Sequence, residues 1–140
     1  MSPRFNREEA MRKFEQKIAE DKAKIAVLMQ EDFLDEDGYP TESALEIIKL
    51  WPYDDLTGWF KFIEDIWYMK SWGWHEIDTV DNIYGNVHEY HISTAGWSGS
   101  ESIIGAMQQN WTLWSISWVQ SRRGGHYIFQ TRKDDEDESI

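Results

Sequence analysis

Met11, Phe14, Ile18, Ile25 and Leu28 fall on one stripe at helical spacing, with Asp21 interrupting it and charged residues on the opposite side. The pattern predicts one long helix over residues 6–31, opened by Asn6 and Glu9 at capping-box spacing. So narrow a stripe suits either docking on a domain or pairing with a second copy through residues 6–31. The acidic residue in the seam favours docking. Thr41 is placed to cap a second helix over residues 42–50, with Leu45, Ile47 and Ile48 turned inward and Pro52 beyond its end. A third helix starts at Asp54 or Asp55 and runs to about Met69. Its apolar side carries Trp59, Phe60, Ile63, Ile66 and Trp67, the pattern of a core-facing helix.

Beyond Ser71-Trp72-Gly73 the period changes from helical to alternating. Residues 74–80 and 87–94 predict a hairpin around Asn82-Ile83-Tyr84-Gly85. With the turn centred between Ile83 and Tyr84, Ile77 opposes Tyr90 and Glu76 opposes His91. One face then carries His75, Ile77, Thr79, His88, Tyr90 and Ile92, the expected core side. The other carries Glu76, Asp78, Glu89 and His91. Ser98 and Glu101 repeat the capping-box spacing and open a helix to about Gln109. Residues 111–120 alternate as a strand, with Trp114, Ile116 and Trp118 on one face. Arg122-Arg123-Gly124-Gly125 turns the chain, and residues 126–131 return with Tyr127 and Phe129 beside Gln120 and Trp118.

The fold class expected is α+β: an antiparallel four-stranded sheet (ββ-α-ββ) preceded by about three helices packed mainly on one face. In domain terms, residues 1–31 are an N-terminal amphipathic helix, 39–131 a single α+β domain and 132–140 a disordered acidic tail.

Composition narrows the function classes. The chain has 140 residues, a size for one domain, and nine Trp, six Tyr and six Phe, more rings than its core obviously requires. The surplus suits a binding surface. The formal charge is −12, to which Asp134-Asp135-Glu136-Asp137-Glu138 contributes five negatives. That field repels nucleic acid and anionic membrane, so no direct nucleic-acid or membrane partner is expected. There is no cysteine, hence no disulfide or thiolate chemistry, and neither a hydrophobic signal core nor a membrane-length apolar run. A cytoplasmic protein is expected.

Four constellations carry candidate chemistry. The first is an anion site made of Ser98, Gly99 and Ser100 at a helix start with Arg122, Arg123 and His126 from the second hairpin turn. A helix N-terminus offers unpaired N–H groups and partial positive charge, and an arginine can grip an oxyanion in bidentate fashion. Connectivity brings the two together if the strand after this helix runs back towards the helix start. The second is a metal set in Trp74-His75-Glu76 and His88-Glu89-Tyr90-His91. His88 and His91 face opposite ways on a strand, so neither metal nor cofactor is expected. The third, Asp32–Pro40, invites calcium, but aligning Gly38 with the turn glycine of an EF-hand loop puts Phe33 and Ala44 at ligand positions, where both fail. The fourth, Gly96-Trp97-Ser98-Gly99-Ser100, lacks the last glycine of a nucleophile elbow and no parallel sheet surrounds it, so no catalytic residue is assigned.

The segments YPTESALEIIKLWPYDD, WGWHE, HISTAGWSGSESIIGAMQQN and WSISWVQSRRGGHYIF, spanning about residues 39–130, resemble a family of small uncharacterised proteins of tailed bacteriophages and their hosts. GWSG…E…I…A…N and SRRGGHY are the most specific parts. The resemblance implies a phage-encoded accessory protein in the bacterial cytoplasm and brings no catalytic residues with it. The expected function is non-enzymatic binding that modulates or inhibits a host or phage protein, including host antiviral defence. The alternatives are a binder of a small anionic ligand such as a nucleotide and, last, a small phosphoester-acting enzyme.

Overall fold

The computed structural model describes residues 6–133. Helix α1 (Arg7–Leu28) is capped by Asn6, whose Oδ1 accepts the Glu9 N–H at 3.0 Å. Its C-terminal part docks: Ile25 is buried and Leu28 packs on the core, while Phe14 meets Tyr53 at 5.5 Å between ring centroids. Met11 and Phe14 stay half exposed. Thr41 caps α2 (Glu42–Leu50), which buries Ala44, Ile47 and Ile48. Asp55 caps α3 (Leu56–Ile66) through the Gly58 N–H. This helix stops at Ile66, short of the expected Met69. Met69 then takes a left-handed conformation (φ 52°), and a single helical turn, α4 (Lys70–Gly73), leads into the sheet.

Strands β1 (Trp74–Asp81) and β2 (Gly85–Ser93) form the first hairpin. After α5 (Ser98–Gln109) and α6 (Trp111–Ser117), β3 (Trp118–Arg122) and β4 (His126–Arg132) form the second. All pairs are antiparallel and the strand order is β1-β2-β4-β3, the expected α+β architecture. Trp74, Tyr90, Ile92 and Phe129 on one sheet face join the helices in a single core. Phe60 of α3 is the pin, stacked on Tyr90 at 4.2 Å and 5.4 Å from Phe129.

Three expectations are corrected. First, residues 111–117 form α6, not a strand. Asn110 Oδ1 accepts the Leu113 N–H and opens a helix that buries Leu113 and Ser117, four residues apart. The alternation of Trp114, Ile116 and Trp118 is therefore incidental, and only Trp118 onward is extended.

Second, the first hairpin is slipped by one residue. Asp81 pairs with Gly85, leaving a three-residue loop centred on Ile83. Asp81 Oδ2 accepts the N–H groups of Ile83 and Tyr84, and Gly85 takes φ 75°, the left-handed position that closes such loops. A slip of one residue exchanges the faces of a strand. Trp74, Glu76 and Asp78 accordingly join His88, Tyr90 and Ile92 on the core side, while His75, Ile77 and Thr79 share the opposite face with Glu89 and His91.

Third, the second hairpin has an irregularity between Trp118 and Gln120. Trp118 pairs with Phe129 as expected, but Tyr127 lies opposite Ser121 rather than Gln120. Arg132 closes β4 and Lys133 bonds Asp78 at 2.9 Å. The tail expected over residues 132–140 therefore overlaps the described structure at these two residues, and 134–140 lie outside the described residues.

Candidate functional site

The six residues of the expected anion site separate into two groups. Ser98 opens α5 but does not cap it, a correction to the capping-box reading: the flanking residue is Trp97, and no side chain caps the helix start. The Ser98 carbonyl accepts the Ser102 hydroxyl. Ser100 and Gly99 are buried, and a side chain at Gly99 would collide with the Trp97 ring. That ring sits between Tyr39 and Tyr68, at 4.8 and 4.5 Å. Aromatic rings thus pack at the start of α5.

Arg122, Arg123 and His126 lie on the second hairpin. Their turn packs on the segment preceding α5, where the Gly125 carbonyl accepts the Thr94 N–H at 3.0 Å. Gly125 has φ 77°, and a side chain there would strike the Thr94 hydroxyl. His126 Nδ1 is 2.7 Å from Ser93 Oγ. Among the described residues no hydrogen bond or ion pair joins this turn to Ser98 or Ser100.

What the turn joins instead is a row of basic side chains crossing the polar face of the sheet. Each strand supplies one. His75 on β1 pairs with His91 on β2, His126 on β4 pairs with Ser93, and Arg122 on β3 pairs with His126. The rings of His91 and His126 are 5.7 Å apart. One nitrogen of each imidazole is already held: His75 Nε2 by the Trp72 carbonyl at 2.8 Å, His91 Nε2 by Glu89 at 2.6 Å, His126 Nδ1 by Ser93. Glu89 is itself clasped from the other side by Gln130 at 2.8 Å. Burial, then the positive charges of His91, Arg122 and His75, pull the His126 pKa below 6.5. His75 and His91 were absent from the expected site. The signal for them was their alternation on adjacent strands, which the one-residue slip misaligned.

A second histidine network occupies the core-side face. His88 donates from Nδ1 to Asp78 at 2.7 Å and from Nε2 to Glu76 at 2.6 Å, and Glu76 also accepts the Trp74 indole N–H. Two donated bonds require both ring nitrogens protonated. Burial opposes that charge, but the bonds to Asp78 and Glu76, and their negative charges, outweigh it and raise the His88 pKa above 6.5. The sign follows: a raised native pKa contributes stability that is complete below 6.5 and is lost as pH rises through the native value. We therefore expect His88→Gln to cost more stability at about pH 5.5 than at about pH 8.5, read from urea denaturation of both proteins. An equal cost at both pH values would show that His88 is not charged here. His126, with a lowered pKa, acts in the opposite sense: its contribution is present above 6.5 and lost as pH falls through the native value.

Among the described residues no group of three or more His, Asp or Glu is arranged to hold a metal ion, and no helix is long and apolar enough to cross a membrane. Comparison with protein-family models, with curated proteins and with solved structures found no match.

Proposed function

We propose that the chain is a non-enzymatic accessory protein that acts by binding another protein. The observation that carries this is a groove at the loop end of the first hairpin around which exposed apolar side chains gather. Tyr84, Val87, Ile116, Trp118, Val119 and Arg132 line it. Val87 is fully buried at its base, but Ile116, Trp118, Val119 and Tyr84 are 59%, 44%, 41% and 49% exposed, and Ile83 beside them 81%. Arg132 stacks over the Tyr84 ring at 4.2 Å. Ser115, Ser117 and Gln130 add polar groups to the lining, and exposed aromatic and arginine side chains around such a recess are residue types enriched in protein-binding hot spots. Isolated exposed apolar residues are ordinary; a grouped set marks an interface.

The bacteriophage resemblance of residues 39–130 directs the search for that partner to the bacterial host, antiviral defence included. The protein, immobilised, is expected to retain a specific partner from host lysate, and the double variant Ile116→Asp/Trp118→Ser to lose it while keeping its far-ultraviolet dichroism. Retention unchanged in that variant would remove the groove from the proposal. Binding of a small anionic ligand is the second reading, favoured by the row of basic side chains on the polar face.

A further inference from the structure

We propose that His91, His126 and Arg122, extended by His75 on one side and Arg123 on the other, form a binding site for a small phosphate-bearing anion. The inference rests on the second reading above and moves its centre from the start of α5 to the open face of the sheet.

Three observations converge. The first is placement. Four strands each present one basic side chain on a single face, in a row that steps by two residues between β2 and β4 and is closed by the 5.7 Å approach of the His91 and His126 rings. Adjacent strands lie about 4.8 Å apart, so the three strands carrying His91, His126 and Arg122 span about 10 Å, which a pyrophosphate can bridge with a hydrogen bond at each end.

The second is charge. The chain carries 26 acidic residues against 14 lysines and arginines. Among the described residues Arg122 and Arg123, like Arg7, Arg12 and Arg132, are in no ion pair, so their guanidinium groups are open to an anion. The carboxylate nearest in this row, Glu89, has both oxygens occupied by His91 and Gln130. Burial first, then the neighbouring charges of the row, lower the His126 pKa.

The third is orientation. With one nitrogen of each ring fixed by Trp72, Glu89 or Ser93, the other nitrogen has no protein partner among the described residues: Nδ1 of His75 and His91, and Nε2 of His126. His75 and His91 spend their Nε2–H on those acceptors, so Nδ1 donates to an oxyanion only when the ring is protonated; each ring is already held in place, so little ordering is required when an oxyanion arrives. Arg122 supplies the planar fork that suits two oxygens of one phosphate.

His126 meets Ser93 and His91 from β2, Arg122 from β3 and the charge of His75 on β1; Glu89 is the acid on this side. An anion in their midst favours the protonated ring that burial and then the neighbouring charges disfavour, so binding is coupled to proton uptake. The experiment is isothermal titration of the full chain with sodium pyrophosphate at about pH 6 and about pH 8, at one ionic strength. Sodium sulfate, whose charge is constant over that interval, serves as the second probe. Both anions are expected to bind about tenfold more tightly at the lower pH.

Arg122→Gln alters an exposed side chain and is expected to weaken binding about tenfold at both pH values, with an unchanged melting temperature in the absence of anion. His126→Asn is expected to flatten the pH dependence. Titration with ADP separates a nucleotide from a free phosphate ligand. Affinity independent of pH, or unchanged in Arg122→Gln and His126→Asn, overturns the site. If binding is instead lost in Ser98→Ala and kept in Arg122→Gln, the anion reading stands at the α5 start and this row falls. No binding of pyrophosphate, sulfate or ADP at the lower pH removes both.

Discussion

Asn110→Ala is expected to destabilise the protein by about 3 kcal/mol, measured by urea denaturation. The reason begins with Pro52. In α2 the Ile48 carbonyl would accept the N–H of residue 52, and proline has none. Two side chains replace it: the Trp59 indole N–H at 3.0 Å and the Asn110 amide at 3.0 Å, both in buried surroundings. The same amide bonds the Trp51 carbonyl at 3.1 Å, and Asn110 Oδ1 caps α6. Alanine removes all three of these contacts at once and leaves buried carbonyls with fewer partners, each costing about 1–3 kcal/mol. Because Trp59 and Asn110 serve one oxygen, Asn110→Ala and Trp59→Phe are expected to be non-additive in a double-mutant cycle. A loss below about 1 kcal/mol for Asn110→Ala would mean that water replaces the amide.

Phe60→Ala is expected to cost about 3–5 kcal/mol. Its ring is fully buried and stacks almost parallel to Tyr90, 13° between planes, with Phe129 and Trp59 at 5.4 and 5.3 Å. It is the contact through which α3 holds the two central strands. Deletion leaves a cavity walled by rings that sheet and helix fix in place, so collapse is limited. The melting temperature should fall on the order of 10 °C, and Phe60→Leu should recover more than half of the loss. An alanine variant melting within a few degrees of the parent would show that β2 and β4 are secured without α3.

The helices before the sheet were legible because their signals are local. Asn6, Thr41 and Asp55 each accept an N–H three residues on, and apolar periodicity follows directly. The fate of residues 111–117 was not legible. Their alternation is as good as a strand's, and what overrides it is Asn110, tied to residues about sixty positions earlier in the chain. The hairpin register turned on one side chain. Asp81, two residues before Ile83, makes the loop one residue shorter than the glycine position alone suggests.

The same slip decided how much of the site could be read. Arg122, Arg123 and His126 were identifiable from the turn that holds them. His75 and His91 became their neighbours only once β1 was correctly aligned on β2 and β2 on β4. The Glu76–His88–Asp78 network depends on the same alignment, since in the unshifted register the two carboxylates lie on the other face from His88.

The strand order has a kinetic consequence. Each hairpin closes over three residues, so β1–β2 and β3–β4 can zip locally. The central ladder instead joins Val87–Ser93 to His126–Arg132, across α5 and α6. Closing that long segment carries the entropy cost of a non-local contact before any pairing offsets it. The two hairpins are therefore early, mutually independent units. Their union through β2 and β4 is the slow event that creates at one stroke the hydrophobic floor under Phe60 and the line of basic groups on the opposite face.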